Sequence, residues 1–254
     1  MGGSTIAHIN LTNLFNEKGQ ECILYGPHNW HTTKCKGKTF NEIEINPDDI
    51  IIAHFMPNIT SRLSVRKMVL SLHEKNLFDL KIIPHKQYDK IHFLNQNQKD
   101  WHKITNQPNF ICPNPHTFLK KKETSPDCVA GIIGSIDRNK NVHTSIERAL
   151  KDGMKLIRIY GTINDESYYQ QKVKPLIEKN LDKIQLMGYI SNREIIYNSV
   201  SDVYMSSYSE NASFVVDECI MTNTRYHLNN NIQVPEKIIS NDEVFEIWKR
   251  ELEI

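Results

Sequence analysis

The chain has 254 residues and a formal charge of +1, from 31 Lys and Arg against 30 Asp and Glu. That length suits one large α/β domain or two compact lobes of about 100–150 residues each. The near-neutral charge removes any global electrostatic case for nucleic acid or an anionic membrane.

In the first half, the residues predict strands at Glu21–Tyr25, Asp49–His54, Leu80–Pro84, Lys90–Leu94 and Asn109–Cys112. Helical periodicity falls on Leu11–Glu17, Arg62–Lys75 and Lys99–Ile104. The pattern breaks at Pro113-Asn114-Pro115, and the polar stretch Leu119 to Pro126, with Lys120, Lys121 and Lys122, reads as a solvated linker. A second series opens with strand Cys128–Ile133, the turn Gly134–Asn139 and a helix through Leu150. Strand Leu156–Tyr160, helix Glu166–Lys179, strand Lys183–Met187, helix Arg193–Ser199 and strand Asp202–Ser206 follow. Helices over Phe214–Thr222 and Asp242–Leu252 complete it. This alternation predicts the α/β class, with parallel sheets covered by helices. The expected division is a lobe over 1–112, a linker over 113–127 and a lobe over 128–254.

Apolar runs such as Ile50 to Ala53 and Val129 to Ile133 fall far short of the roughly 20 residues a transmembrane helix needs. The start, Met1-Gly2-Gly3-Ser4-Thr5, has neither a basic region nor an apolar one, so no secretory signal is expected and the cytoplasm is the expected location. Cys22, Cys35, Cys112, Cys128 and Cys219 lack any Cys-x-x-Cys spacing and read as reduced thiols. The sequons at Asn10, Asn58 and Asn211 are then chance matches.

In an open parallel sheet, ligands sit beyond the carboxyl ends of the strands, so the loops after Ile133, Tyr160, Met187 and Ser206 should line the site. The last of these carries two carboxylates. Glu210 lies in the loop after a strand, and Glu218 follows after seven residues on the helix that begins near Ser213. A helix N-terminus at Ser213, Phe214 and Val215 presents free N–H groups and a positive dipole end, which suits a diphosphate. By spacing alone, two such Glu residues fit a surface helix equally well.

The segment Ser206 to Thr224 resembles the donor-site motif of retaining glycosyltransferases of family 4, which have the two-lobed GT-B fold. There Glu, seven residues and Glu precede Ala and a later Gly-Thr-Pro; here Cys219 and Asn223-Thr224-Arg225 stand at those places. The turn Gly134-Ser135-Ile136-Asp137-Arg138-Asn139-Lys140 resembles the family's diphosphate-gripping turn. Lys140 matches its Lys, Ser135 stands where the family has Arg, and Arg138 carries a charge in the same turn. Gly188-Tyr189-Ile190, before Arg193-Glu194, resembles the segment that contacts the base. Residues 109–225 carry the likeness well, and the first half carries less of it.

The resemblance implies two Rossmann-like lobes facing a cleft, with the first shortened at its start. Gly2-Gly3-Ser4 corresponds to the family's Gly-Gly loop on the acceptor side, without the preceding strand. His85, ending Leu80–Pro84, corresponds to the His that touches the donor sugar, with His54 at a comparable strand end. The implied reaction moves a hexose from a nucleoside diphosphate sugar, of GDP-mannose or UDP-glucose type, to a hydroxyl with retention. Glu210 would hold sugar hydroxyls and Glu218 the ribose, while Lys140, Arg138 and the N–H groups at 213–215 would stabilise the leaving diphosphate. It calls for no cofactor and no metal beyond that donor substrate. The acceptor is a glycan, a lipid-linked or a small-molecule hydroxyl, and peripheral membrane contact stays open.

His28, Trp30, His31 and Cys35 offer either a metal loop or an acceptor surface, but no second cluster supplies the four ligands of a closed zinc site. Tyr168, Tyr169 and Tyr197 read as helix packing. Two rival readings are a nucleotide-sugar epimerase and a non-catalytic nucleotide-sugar-binding protein. A dinucleotide oxidoreductase is disfavoured, because no Gly-x-Gly-x-x-Gly follows any strand.

Overall fold

The computed structural model describes residues 3–27, 35–54, 63–74, 87–104, 106–120 and 126–254. Gly2, His28, Trp30, His31, His85 and the expected strand Leu80–Pro84 lie outside the described residues. The chain divides into two compact units, Met1–Thr117 with Lys237–Ile254, and Phe118–Glu236.

The first unit begins with α1 (Gly3–Glu17), followed by the short parallel pair β1 (Leu24–Gly26) and β2 (Gly37–Thr39). Gly3 opens the helix, so it does not sit in the loop that the sequence suggested. A second, parallel sheet holds β3 (Ile50–Ala53), β4 (Lys67–Ser71), β5 (Lys90–Phe93) and β6 (Asn109–Ile111) in that order, with α2 (Gln96–His102) between β5 and β6. Strand β4 replaces the helix expected over Arg62–Lys75. Its residues alternate between two cores. Val69 packs with Leu14, Phe15 and Phe110, while Met68, Leu70 and Leu72 pack with Phe93 and Tyr88. A strand covered on both faces reads as a continuous apolar run, which periodicity cannot separate from a buried helix.

The second unit is one five-stranded parallel sheet: β7 (Val129–Ile133), β8 (Leu156–Tyr160), β9 (Ile184–Gly188), β10 (Asp202–Met205) and β11 (Arg225–Leu228). Its order is β11-β10-β7-β8-β9. The helices are α3 (Val142–Lys151), α4 (166–179, with a π turn at Tyr169–Val173), α5 (Arg193–Asn198) and α6 (Phe214–Thr222). Helix α3 buries Val142, Ile146 and Ala149 in the core formed with Ala130, Ile132, Ile157 and Ile159. Strand β11 is absent from the sequence expectation because its polar residues show no apolar period; Asp202 holds it instead. Arg225 donates to both Asp202 oxygens at 2.9 and 2.8 Å, and His227 stacks on Tyr204 with ring centroids 4.2 Å apart.

The final helix, α7 (Asn241–Leu252), belongs to the first unit. It buries Val244, Phe245, Trp248 and Leu252 against Phe15, Val69 and Phe110. Asn241 fixes its start by exchanging hydrogen bonds with the His116 backbone at 2.9 and 2.8 Å. The division expected at 128–254 is corrected at this point: apolar packing carries 237–254 to the other unit.

Candidate donor-binding site

In the second unit the chain runs from β7 outward through β8 and β9, then returns to the other side of β7 for β10 and β11. The crevice at such a reversal, beyond the carboxyl ends of the strands, is where open α/β sheets bind ligands. A shallow, solvent-open hollow lies there, lined by Gly134, Ser135, Lys140, Ser145, Met205 and Ser207 among others.

Two loops meet at this point, and the backbone explains how. Asn139 accepts from the Ser209 N–H and donates to the Ser209 carbonyl at 3.2 and 3.1 Å, and the Tyr208 N–H donates to the Asn139 carbonyl at 2.8 Å. The β7 turn is further drawn in by Asn141, which has a left-handed backbone and donates to the Ser206 carbonyl at 3.2 Å. Gly161, after β8, has φ +152°, and a Cβ there would lie 1.8 Å from the Gly134 carbonyl oxygen. Only glycine permits this approach.

The structure brings Lys140 and Glu210 together. The Lys140 ammonium donates to Glu210 Oε1, with both side chains largely buried. Arg138 goes elsewhere: its Nε donates to Asp165 at 2.9 Å, on an exposed side chain, and Asp165 also caps α4. Ser135 donates to Asp137 at 2.5 Å, and Asp137 accepts from the Lys140 N–H at 2.9 Å, which fixes the turn. These two residues shape the turn in this structure, and the charge facing Glu210 is that of Lys140.

Glu218 is almost fully buried. Arg193 Nε donates to both of its oxygens at 3.0 and 3.1 Å, and the Tyr197 hydroxyl donates at 2.7 Å. Burial, with the nearby Glu218 charge, pushes the Tyr197 hydroxyl well above its ordinary value, so it stays a donor. Tyr197, expected only as packing, is both core and ligand of Glu218. Arg193, to which the sequence assigned no role, is the ion-pair partner of Glu218; its position just after Gly188-Tyr189-Ile190 was the available signal. Burial, with Glu218 beside it, raises the Asp217 carboxyl to about 7.

Of the remaining predicted residues, Gly188 takes a left-handed backbone and accepts from the Gly161 N–H at 2.9 Å. Tyr189 is exposed, while Ile190 and Val215 pack against the core formed by Ile133, Tyr160 and Cys219. Ser213 is buried at the start of α6, where it precedes the N–H groups of Phe214 and Val215. Helix α6 is nine residues long, and the Val216 and Asp217 N–H groups donate to the Ser213 carbonyl at its start, at 3.1 and 3.2 Å.

No known family model matches the chain, and no curated protein does. Solved structures do. HepE from Anabaena, in complex with UDP and glucose, superposes with a TM-score of 0.69 at 13% identity, over 99% of this chain and 87% of that one. The lipopolysaccharide outer core galactosyltransferase WaaB in its apo form gives 0.56 at 14%, over 97% and 85%. TarM from S. aureus, as a point mutant in complex with fondaparinux, α-GlcNAc-glycerol and UDP, gives 0.55 at 16%, over 74% and 43%. The chain thus spans less than half the length of TarM. The fold is the GT-B type, with two Rossmann-like units. Among the described residues, no helix is long and apolar enough to cross a membrane.

Proposed function

We propose that the chain is a retaining hexosyltransferase that takes a nucleoside diphosphate sugar as donor and a glycan, lipid-linked or small-molecule hydroxyl as acceptor. One observation carries the reading: Lys140 and Glu210, from two loops, meet at the crevice where the sheet order reverses, at the carboxyl end of β7 and β10. A bound diphosphate draws the Lys140 ammonium from Glu210. The freed carboxylate then accepts hydrogen bonds from sugar hydroxyls. When the bond from the anomeric carbon to the diphosphate breaks, Lys140 and the N–H groups at 213–215 meet the charge left on the leaving oxygen. The acceptor oxygen bonds the anomeric carbon on the face that the diphosphate leaves, and its proton goes to that diphosphate. Glu218, held in place by Arg193 and Tyr197, takes the ribose hydroxyls. His85 and Trp30 stay assigned to the donor sugar and the acceptor side.

HepE holding UDP and glucose supports trying UDP-glucose beside GDP-mannose. A second reading, nucleotide-sugar binding without transfer, is favoured by one fact. Arg138 is tied to Asp165 and Ser135 to Asp137, so the turn offers one fewer cation than the family motif. Incubation with each donor and a panel of hydroxyl acceptors separates the two. Transfer predicts released nucleoside diphosphate and, by proton NMR, a product with the donor's anomeric configuration; Glu210→Gln and Lys140→Ala should each lose about 100-fold in turnover. Tight donor binding with no turnover would leave the binding reading.

A further inference from the structure

The first unit holds a group of imidazoles that the donor site does not use. His8 comes from the second turn of α1, His54 follows β3 and His73 follows β4. One ring nitrogen from each lies within 4.8 Å of the other two. Their ring centroids are 4.7 to 4.8 Å apart. We propose that His8, His54 and His73, with Glu74 as fourth ligand, form a binding site for one divalent ion of the zinc class.

The hydrogen bonds around the rings decide which nitrogen each presents. His8 Nδ1 meets the Ser4 carbonyl at 2.7 Å and His54 Nδ1 meets the Ser71 carbonyl at 2.9 Å. A carbonyl only accepts, so each Nδ1 carries the proton and each Nε2 carries the lone pair. For His73 the assignment passes through a chain of three groups. His92 Nε2 donates to the Cys112 carbonyl at 2.7 Å, which leaves His92 Nδ1 as an acceptor. The Ser71 hydroxyl donates to that Nδ1 at 2.9 Å, and its oxygen accepts from His73 Nε2 at 3.2 Å. His73 therefore presents the lone pair on Nδ1. Metal-bound histidines are oriented in this way, with the second ring nitrogen donating to a carbonyl or hydroxyl.

The fourth ligand is already near. Glu74 Oε2 lies 3.7 Å from His54 Nε2, too far for a hydrogen bond and close to the roughly 3.3 Å between two ligands on one tetrahedral zinc. Glu74 Oε2 and His8 Nε2 are buried atoms with no hydrogen-bond partner among the described residues. Drawing the nitrogens from 4.8 Å to tetrahedral spacing needs about 1.5 Å of closure at most, which ring rotations supply. The ligands come from three elements far apart in sequence, so no local spacing announces them. The inference does not depend on the sugar-transfer reading.

The test uses full-length chain carrying no histidine tag, stripped with chelator and titrated with zinc against a chromophoric competitor, and separately with cobalt(II). One ion per chain and the visible ligand-field band of tetrahedral cobalt are expected. His8→Gln should weaken zinc binding at least about 100-fold, Glu74→Gln about 10-fold or more, and Ser71→Ala, which only positions His73, about 10-fold. Should His8→Gln fail to fold by circular dichroism, the Glu74→Gln and Ser71→Ala variants decide. A His28→Gln/His31→Gln double variant should bind as wild type does. Absence of stoichiometric zinc and of the cobalt band, full affinity in Glu74→Gln and Ser71→Ala, or loss of binding in the His28/His31 variant would each overturn the proposal.

Discussion

Glu218 holds its position through two donors, and their removal should be felt in stability before it is felt in chemistry. Arg193→Ala leaves the carboxylate buried with Tyr197 alone, and a loss of about 2 kcal/mol in urea unfolding is expected, less than a fully buried pair would show because Arg193 keeps some solvent. Lys140→Ala should weaken nucleoside diphosphate binding by roughly 10- to 100-fold in calorimetry, since a charge-assisted contact is lost. Asp217 sets a pH dependence. Its folded carboxyl titrates at about 7 against an ordinary 3.8, so the folded state keeps a proton that the unfolded state releases. Its unfavourable contribution therefore grows as pH rises from about 4 to about 7 and is complete above that. Thermal melts should show Asp217→Asn more stable than wild type near pH 8, by about 1 kcal/mol, and nearly unchanged near pH 4. At this scale Lys140, Glu210 and Glu218 were legible, because motif and strand ends locate them. The Arg138 pairing with Asp165 and the Arg193 clasp on Glu218 were not, because partner choice depends on which loops fold together.

The strand ends of the second unit depend on glycines in close contact. Gly161→Ala would push a methyl into the Gly134 carbonyl and place a side chain at a φ that L residues avoid. A loss of roughly 3 kcal/mol or more in denaturant unfolding is expected. Weaker donor binding should accompany it, because the same contact shapes the turn that carries Lys140. The second unit's elements were readable where apolar period and length agreed, as in α3, β8 and α6. Strands β2 and β4 of the first unit and β11 of the second were not. Strand β4 hides as a continuous apolar run shared between two cores, and β11 has no apolar pattern because Asp202 and Tyr204, on the neighbouring strand, hold it.

Across the whole chain, the α/β class and the parallel sheets follow from the alternation of elements, while the return of the last helix to the first unit does not. The amphipathic pattern of α7 says that one face is buried but not which core receives it. Trp248 packs against Phe110 and His92, at 5.0 and 4.6 Å between ring centroids, and is almost fully buried. Trp248→Ala should cost the first unit about 3–5 kcal/mol, read by circular dichroism in urea. Calorimetric titration of UDP, GDP and their sugars into wild type and Glu218→Ala decides whether the crevice at β7 and β10 is a nucleotide-sugar site. One base should bind wild type and lose at least about 10-fold in the variant, with its heat of binding reduced. Absence of binding by any nucleotide to folded wild type, or equal affinity in the variant, would contradict that assignment.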